Sequence, residues 1–405
     1  MIKIAVLGYG TVGSGVVEVI EKNKDMVNKK AGEDLDVKYI LDLRDFPGDP
    51  HEDKLVHDFS QILADDEVRI ICETMGGVGA AYEFTKQALS AGKSVCTSNK
   101  ELVAAHGPEL LTLAKENNCN YLFEASVGGG IPIIRPLNYC LTAERIESIT
   151  GILNGTTNYI LSKMEFEGAD YANVLKAAQE KGYAERNPEA DVEGYDACRK
   201  IAILSSLMTG KNVDYQKIYT EGITKVEPRD FEYAKQLGMS IKLLAISRET
   251  DGGTLAMVSP FLIDGEHPLH MVNGVFNAVL VHGNMLDDAM FYGRGAGKLP
   301  TASAVVSDVI DCARHMGRVL MCFWDAREAD IVSIDRVEHR FFFRVKAGSE
   351  EKVKALFGDG LETVVLPGVT EECGIITPVM TEKDFADRYA QLSENTVGSR
   401  LRLEA

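Results

Sequence analysis

Apolar residues in the first 130 positions fall in short runs that alternate with amphipathic stretches. Residues 2–7 form one such run, ending at glycines, and 37–41, 69–73, 94–97 and 121–124 repeat the pattern. Between them Val12, Val16, Val19, Ile20 and Val27 share a face of a helix predicted over 12–29. Further helices are expected at 82–91 and 108–117. Alternation of this kind predicts an α/β fold with a doubly wound parallel sheet of Rossmann type.

The texture changes after Gly128. A glycine break, Val127-Gly128-Gly129-Gly130-Ile131-Pro132, precedes a helix and then a strand over 145–153. Tyr171, Val174, Leu175 and Ala178 share a face of a helix over 171–181, with Gly182 as its stop. A polar loop, 183–194, leads to a helix over 195–209 that stops at Gly210. A second glycine-rich loop, 293–298, opens a helix to Met316. The last 70 residues read as a small α+β module: strand 339–345, helix 350–356, strand 374–380, helix 382–392 and strand 398–403.

Charge narrows the partners. The chain has 405 residues, with 43 Lys+Arg against 61 Asp+Glu and a net charge of −18. Nucleic acid or an anionic membrane surface would repel it, so neither is expected as main partner. Eight cysteines are scattered with no CxxC pair, which argues against zinc ribbons and for reduced, buried thiols. The N-terminal run meets glycines where a signal peptide would stay apolar, and no stretch is long enough to span a membrane. The expected location is cytoplasmic.

Gly8-Tyr9-Gly10-Thr11-Val12-Gly13 is a GxGxxG motif between a strand and a helix. The first glycine permits a tight turn, the second lets backbone amides reach a pyrophosphate, and the third allows close helix–strand packing. A dinucleotide is the expected ligand. Asp42, ending the second strand, suits the ribose hydroxyls of NAD, whereas Arg44 suits the 2′-phosphate of NADP, so either cofactor fits. Thr74 and Ser98-Asn99-Lys100 follow strands at the sheet's carboxyl edge, where ligands bind in this fold. By chemistry alone the glycine run at 128–130 reads as a hinge. Asp196 and Lys200, four apart on a helix, read on pattern alone as a surface ion pair; an acid–base lysine is the sharper alternative. His267-x-x-His270 lacks a third ligand and reads as loop.

Taken together, these motifs resemble the homoserine dehydrogenase family. The resemblance rests on Gly151-Ile-Leu-Asn-Gly155-Thr156-Thr-Asn, Gly182-Tyr183-Ala-Glu185 with Asp196-Ala-Cys-Arg-Lys200, Thr97-Ser98-Asn99-Lys100, Glu124-Ala-Ser-Val127-Gly-Gly129-Gly-Ile131-Pro and Gly293-Arg-Gly295-Ala-Gly297. It implies reversible reduction of L-aspartate 4-semialdehyde to L-homoserine with NAD or NADP, on the route to threonine, methionine and isoleucine. It implies Lys200 as acid/base with Asp196 as partner, and Lys100 as a second catalytic lysine contacting cofactor and substrate. Glu185 would bind the substrate ammonium, with Asp191, Gly155, Thr156 and Tyr183 lining the pocket. Gly8, Gly10, Thr11, Val12, Gly13, Asp42, Arg44, Thr74, Ser98, Gly295 and Gly297 would serve the cofactor. Glu124, Val127, Gly129 and Ile131 would hold sodium, mostly by carbonyls, in place of the hinge. The implied domains are 1–130 for dinucleotide, completed by helices from about 293–330; 131–292 for catalysis and dimerisation; and 336–405 as an ACT-like module. A homodimer is implied. That module departs from the family's Asp-x-Pro-Gly-Val turn, reading Val345-Lys-Ala-Gly-Ser-Glu-Glu instead. Two other readings compete: aspartate-semialdehyde dehydrogenase, which needs a cysteine nucleophile, and a ligand-sensing regulator without chemistry.

Overall fold

The computed structural model describes residues 1–404. The strands are β1 (Ile2–Leu7), β2 (Leu35–Leu41), β3 (Leu55–Val56), β4 (Val68–Glu73), β5 (Ser94–Thr97), β6 (Tyr121–Leu122), β7 (Ile146–Ile152), β8 (Tyr219–Thr220) and β9 (Met239–Thr250). β10 (Gly253–Asp264), β11 (Phe276–Gly283), β12 (Asp287–Arg294), β13 (Glu338–Lys346), β14 (Glu362–Val364), β15 (Glu372–Ile376), β16 (Met380–Thr381) and β17 (Thr396–Glu404) follow. The helices are α1 (Thr11–Lys22), α2 (Lys24–Ala31), α3 (Phe59–Leu63), α4 (Gly79–Ser90), α5 (Lys100–Glu116), α6 (Gly155–Glu167) and α7 (Tyr171–Glu180). α8 (Glu189–Val192), α9 (Tyr195–Thr209), α10 (Pro228–Gln236), α11 (Lys298–Arg314), α12 (Glu350–Phe357) and α13 (Glu382–Tyr389) complete them. They group into two compact units. One comprises Met1–Arg145, Ala202–Tyr215 and Phe291–Ala329, and the other Ile146–Ile201, Gln216–Met290 and Asp330–Ala405.

The first unit is built on a parallel sheet ordered β3-β2-β1-β4-β5-β6. The chain turns away from β1 on either side, to β2 and to β4, which makes the carboxyl end of β1 the switch point where such sheets bind ligands. Val16, Val17 and Ile20 of α1 pack with Val305, Val306 and Val309 of α11 over Ile4 and Val6 of β1. Gly15 makes this helix pair possible, since a Cβ there would lie 2.9 Å from the Lys298 carbonyl.

Three local expectations need correction. The single helix over 12–29 is two, α1 and α2, meeting at Asn23. The run Glu21-Lys22-Asn23-Lys24-Asp25 is wholly polar, so packing does not hold a straight helix there, and the bend lets Val27 and Ala31 join Ile20 in the core. The helix expected to open at Pro108 opens at Lys100, where the Asn99 side chain accepts the Leu102 amide. Burial of Leu102, Val103 and Leu110 outweighs the one helical hydrogen bond that Pro108 forgoes. The strand expected over 121–124 ends at Leu122, and Glu124 begins a 3₁₀ turn.

The second unit carries an eleven-stranded mixed sheet among the described residues. Its main path runs β12-β11-β7-β9-β10-β17-β13-β15-β14, with β16 on β13 and β8 on β10. β9 and β10 form a long antiparallel hairpin in which Thr250 pairs with Gly253. Sequence patterning assigns no element to this hairpin because residues 240–247 are buried on both faces, which erases the alternation that marks a half-exposed strand. The C-terminal strands extend the same sheet, β17 lying parallel to β10 with Phe261 opposite Arg402. Arg402 is fully buried, held by Glu382 and Glu221.

Candidate active site

The glycine loop sits at the switch point. Gly8 adopts φ +88° and donates its amide to the Leu41 carbonyl, while a Cβ on Gly13 would lie 1.9 Å from the Gly8 oxygen. Gly10, by contrast, faces open space: a Cβ there would meet no atom within 4 Å. Gly10 is the N-cap of α1, with no side-chain cap and no acidic residue in the first turn formed by Thr11, Val12 and Gly13. That leaves the positive helix end and its free amides for an anion.

Asp42 and Arg44 are joined. The two Asp42 oxygens accept the Tyr9 amide (2.8 Å), the Arg44 amide (3.0 Å), Arg44 Nε (2.9 Å) and Arg44 Nη2 (2.9 Å). This fills the carboxylate's acceptor positions, and the Arg44 guanidinium holds its pKa well below the usual range. Thr74 Oγ1 donates to the Leu7 and Gly8 carbonyls, so it props the glycine turn from β4.

Sequence reasoning missed Glu73, the last residue of β4. It is fully buried, and burial pushes its carboxyl up to about 7. Its oxygens accept the Met75 amide (2.8 Å) and the Thr97 hydroxyl (2.5 Å); Thr97 Oγ1 in turn accepts the Asn99 amide (2.9 Å). Asn99 Nδ2 donates to the Gly77 carbonyl at 2.6 Å. Glu73, Thr97 and Asn99 thus tie the loop after β4 to the Ser98–Lys100 turn that opens α5. A polar residue at the end of an apolar strand was the available signal.

Glu124 is buried and accepts the amides of Ile133 (2.6 Å), Ile134 (2.9 Å) and Arg135 (2.7 Å), capping the short helix that follows. Gly129, at φ +55°, and Gly130 pack on the other glycine loop: a Cβ on Gly129 would lie 2.2 Å from the Gly295 oxygen, and the Gly130 amide bonds the Arg294 carbonyl. Gly297, at φ +131°, is the N-cap of α11. The two loops are therefore one structure.

In the second unit a polar cluster lies where β7 meets α6 and α9. Lys200 Nζ donates to Asp196 Oδ2 at 2.7 Å and to the Leu153 carbonyl at 2.8 Å. Both side chains are buried, Lys200 being 8% exposed, so the surface-pair alternative does not hold. Asn154, given no role by sequence reasoning, donates from Nδ2 to Asp191 (2.7 Å) and Asp196 (2.9 Å). Its position just before a helix was the legible signal, since asparagine is a preferred N-cap. Thr156 Oγ1 donates to the Tyr183 carbonyl at 2.6 Å, fixing the 183–188 loop to α6. Gly155 approaches the Val275 carbonyl, from which a Cβ would be 2.9 Å. The Glu185 side chain is exposed on that loop.

The thioester reading finds no nucleophile in Cys96 or Cys119, both buried with thiol pKa values raised by that burial, Cys119 to about 12. A glycine turn at a parallel-sheet switch point, together with a buried lysine paired to aspartate, defines a dinucleotide-dependent oxidoreductase. Comparison with known proteins specifies it. The family model described as the homoserine dehydrogenase NAD binding domain matches residues 8–124, and that of homoserine dehydrogenase matches 132–310. The chain is 38% identical to the homoserine dehydrogenase of Neisseria gonorrhoeae, over 96% of this chain and 95% of that one. Its structure is similar to that of a homoserine dehydrogenase from Thiobacillus denitrificans, with TM-score 0.92 and 34% identity over 100% of this chain and 98% of that one. A hyperthermophilic archaeal homoserine dehydrogenase in complex with NADPH gives TM-score 0.65 and 29% identity over 77% of this chain and 97% of that one. The chain belongs to the homoserine dehydrogenase family. Its function is that of a homoserine dehydrogenase, an oxidoreductase using NAD(P) and a small-molecule substrate. Among the described residues, no helix is long and apolar enough to cross a membrane.

Proposed function

We propose that the chain interconverts L-aspartate 4-semialdehyde and L-homoserine in the cytoplasm, with Lys200 as the acid–base group. One observation carries this: the buried Lys200 ammonium is held by Asp196 and the Leu153 carbonyl. An ammonium has three N–H donors, so one remains for a substrate oxygen. In aldehyde reduction, negative charge grows on that oxygen; Lys200 stabilises it and delivers a proton, and in the reverse direction the neutral amine takes the alcohol proton. The hydride is what the nicotinamide supplies or accepts when bound. Asp196 keeps Lys200 in place, Glu185 binds the substrate ammonium, and Asp191, Gly155, Thr156 and Tyr183 line the pocket.

On the dinucleotide side, Gly8, Gly10, Thr11, Val12 and Gly13 cradle the pyrophosphate, Thr74 supports their turn, and Ser98, Lys100, Gly295 and Gly297 reach the nicotinamide half. Asp42 takes ribose hydroxyls if Arg44 turns away, whereas Arg44 takes a 2′-phosphate; either cofactor remains compatible. A sodium ion at Val127, Gly129 and Ile131 fits the donor chemistry, because the loop's backbone hydrogen bonds use other carbonyls, those of Phe123, Gly128 and Arg294. Glu124 would orient this loop while capping residues 133–135. The ACT-like reading of the C-terminal residues is supported by a strand–helix–strand–strand–helix–strand succession, with the two-residue β16 inserted before α13, and by the sheet order β17-β13-β15-β14. A homodimer is supported by the β12 edge strand, whose exposed face carries Met290 and Tyr292.

The test is absorbance at the nicotinamide band when the protein meets L-homoserine with NAD and with NADP separately. Growth of the reduced band with either cofactor supports the reading; a flat trace with both overturns it.

A further inference from the structure

Asn154 stands between two carboxylates and one helix. Its Nδ2 donates to Asp191 Oδ1 at 2.7 Å and to Asp196 Oδ2 at 2.9 Å, and the same Asp196 oxygen accepts the Lys200 ammonium at 2.7 Å. Its Oδ1 accepts the Thr157 amide at 2.8 Å and the Thr157 hydroxyl at 3.1 Å as the N-cap of α6. The cap fixes which way the amide faces, with oxygen toward the helix and both N–H groups toward the aspartates. Asn154 is 5% exposed and follows β7, which is paired on both sides by β9 and β11.

Two carboxylates within reach of one nitrogen repel each other. A neutral group with two donors satisfies both without adding a charge that would compete with Lys200. A lysine in its place would bring a second cation, and an aspartate a third anion. Asparagine does the holding and keeps its oxygen for the helix. We infer that Asn154 is a positioning residue for the reaction: it holds Asp196 in the rotamer that pairs with Lys200 and keeps Asp191 beside it. This rests on the reading of Lys200 as the acid–base group.

Two variants separate this role from the helix cap. Asn154→Ser keeps a hydroxyl acceptor for the Thr157 amide but loses both donors. Asn154→Asp keeps the cap and the shape but turns the donor face anionic. Homoserine oxidation is followed for kcat and both KM values, beside thermal unfolding. For Asn154→Ser the thermal midpoint stays within about 2 °C, as expected where one good cap replaces another. Its kcat falls at least about tenfold, the scale of a misplaced catalytic group, with the dinucleotide KM unchanged. In Asn154→Asp, where a third carboxylate repels the other two, kcat falls further, again with the dinucleotide KM unchanged. If Asn154→Ser unfolds, Asn154→Asp decides alone, since aspartate caps equally well. Wild-type kcat in a folded variant overturns the inference. A wild-type protein inert with both cofactors overturns the acid–base reading beneath it instead.

Discussion

The candidate sites of the two units are made from different material. At the switch point of the parallel sheet the exposed surface is backbone: the start of α1 without a side-chain cap, a glycine with nothing in front of it, and a glycine with no room behind it. Side chains there, such as Thr74 and Glu73, hold loops in place. In the second unit the polar cluster is made of side chains, with Asn154, Asp191, Asp196 and Lys200 converging from the start of α6, α8 and α9. A backbone site tolerates change wherever a side chain does not intrude. A side-chain site fails when one group goes.

The largest expected effect follows from that. Lys200→Met removes the ammonium but keeps an apolar chain of similar length, while Asp196 retains the Asn154 amide as partner. Turnover in both directions should fall by at least about a hundredfold, the ordinary contribution of a positioned general acid. A steady-state assay beside a thermal melt checks it. Near-wild-type kcat in a folded protein would remove Lys200 from the chemistry and leave the cluster as an internal ion pair.

The same contrast governs what was legible beforehand. GxGxxG is a local signal, because its meaning lies in the six residues from Gly8 to Gly13 and in the strand and helix on either side. The parallel sheet was equally readable, with β1 and β5 falling on the expected residues. Lys200 and Asp196 were visible only as a spacing of four. The Leu153 carbonyl and Asn154, which bury and orient them, lie 47 and 42 residues upstream, so pattern alone favoured a surface pair and family resemblance supplied the role. The β9–β10 hairpin was invisible for the opposite reason: burial on both faces left no period to detect. Glu124 read as a strand end because nothing in its neighbourhood announces that its carboxylate caps amides nine to eleven residues ahead.

Gly10 and Gly13 give the next largest effect and sharpen the comparison within the backbone site. A methyl on Gly10 meets no protein atom within 4 Å, so Gly10→Ala should fold and melt as wild type. It would stand where the pyrophosphate approaches, raising the dinucleotide KM about tenfold with little change in kcat, as removal of uniform binding does. A methyl on Gly13 would lie 1.9 Å from the Gly8 oxygen, so Gly13→Ala must move the turn itself and should lower both the melting temperature and dinucleotide affinity. Equal melting temperatures for the two variants would break the distinction between open and closed glycines.

Glu73 gives the smallest effect and probes a carboxyl buried fully beneath the backbone site. Burial lifts its carboxyl from the ordinary 4.5 to about 7. The folded protein therefore holds this proton more tightly than the unfolded chain does. The stability it confers is complete below the unfolded pKa and is lost as pH rises through the folded one, so the window runs from about 4.5 to about 7. Glu73→Gln removes the titration while keeping an oxygen for the Met75 amide. The Thr97 hydroxyl, which has two lone pairs, can turn to accept from the new amide. Wild type should lose a few degrees of melting temperature between pH 5 and pH 8 relative to Glu73→Gln. Asp230 and Lys242, buried with pKa values of about 6 and about 8, titrate in both proteins and cancel in the difference. Parallel melting curves across that range would mean that Glu73 is already ionised at neutral pH, with Thr97 and the Met75 amide bonding a full charge inside the fold.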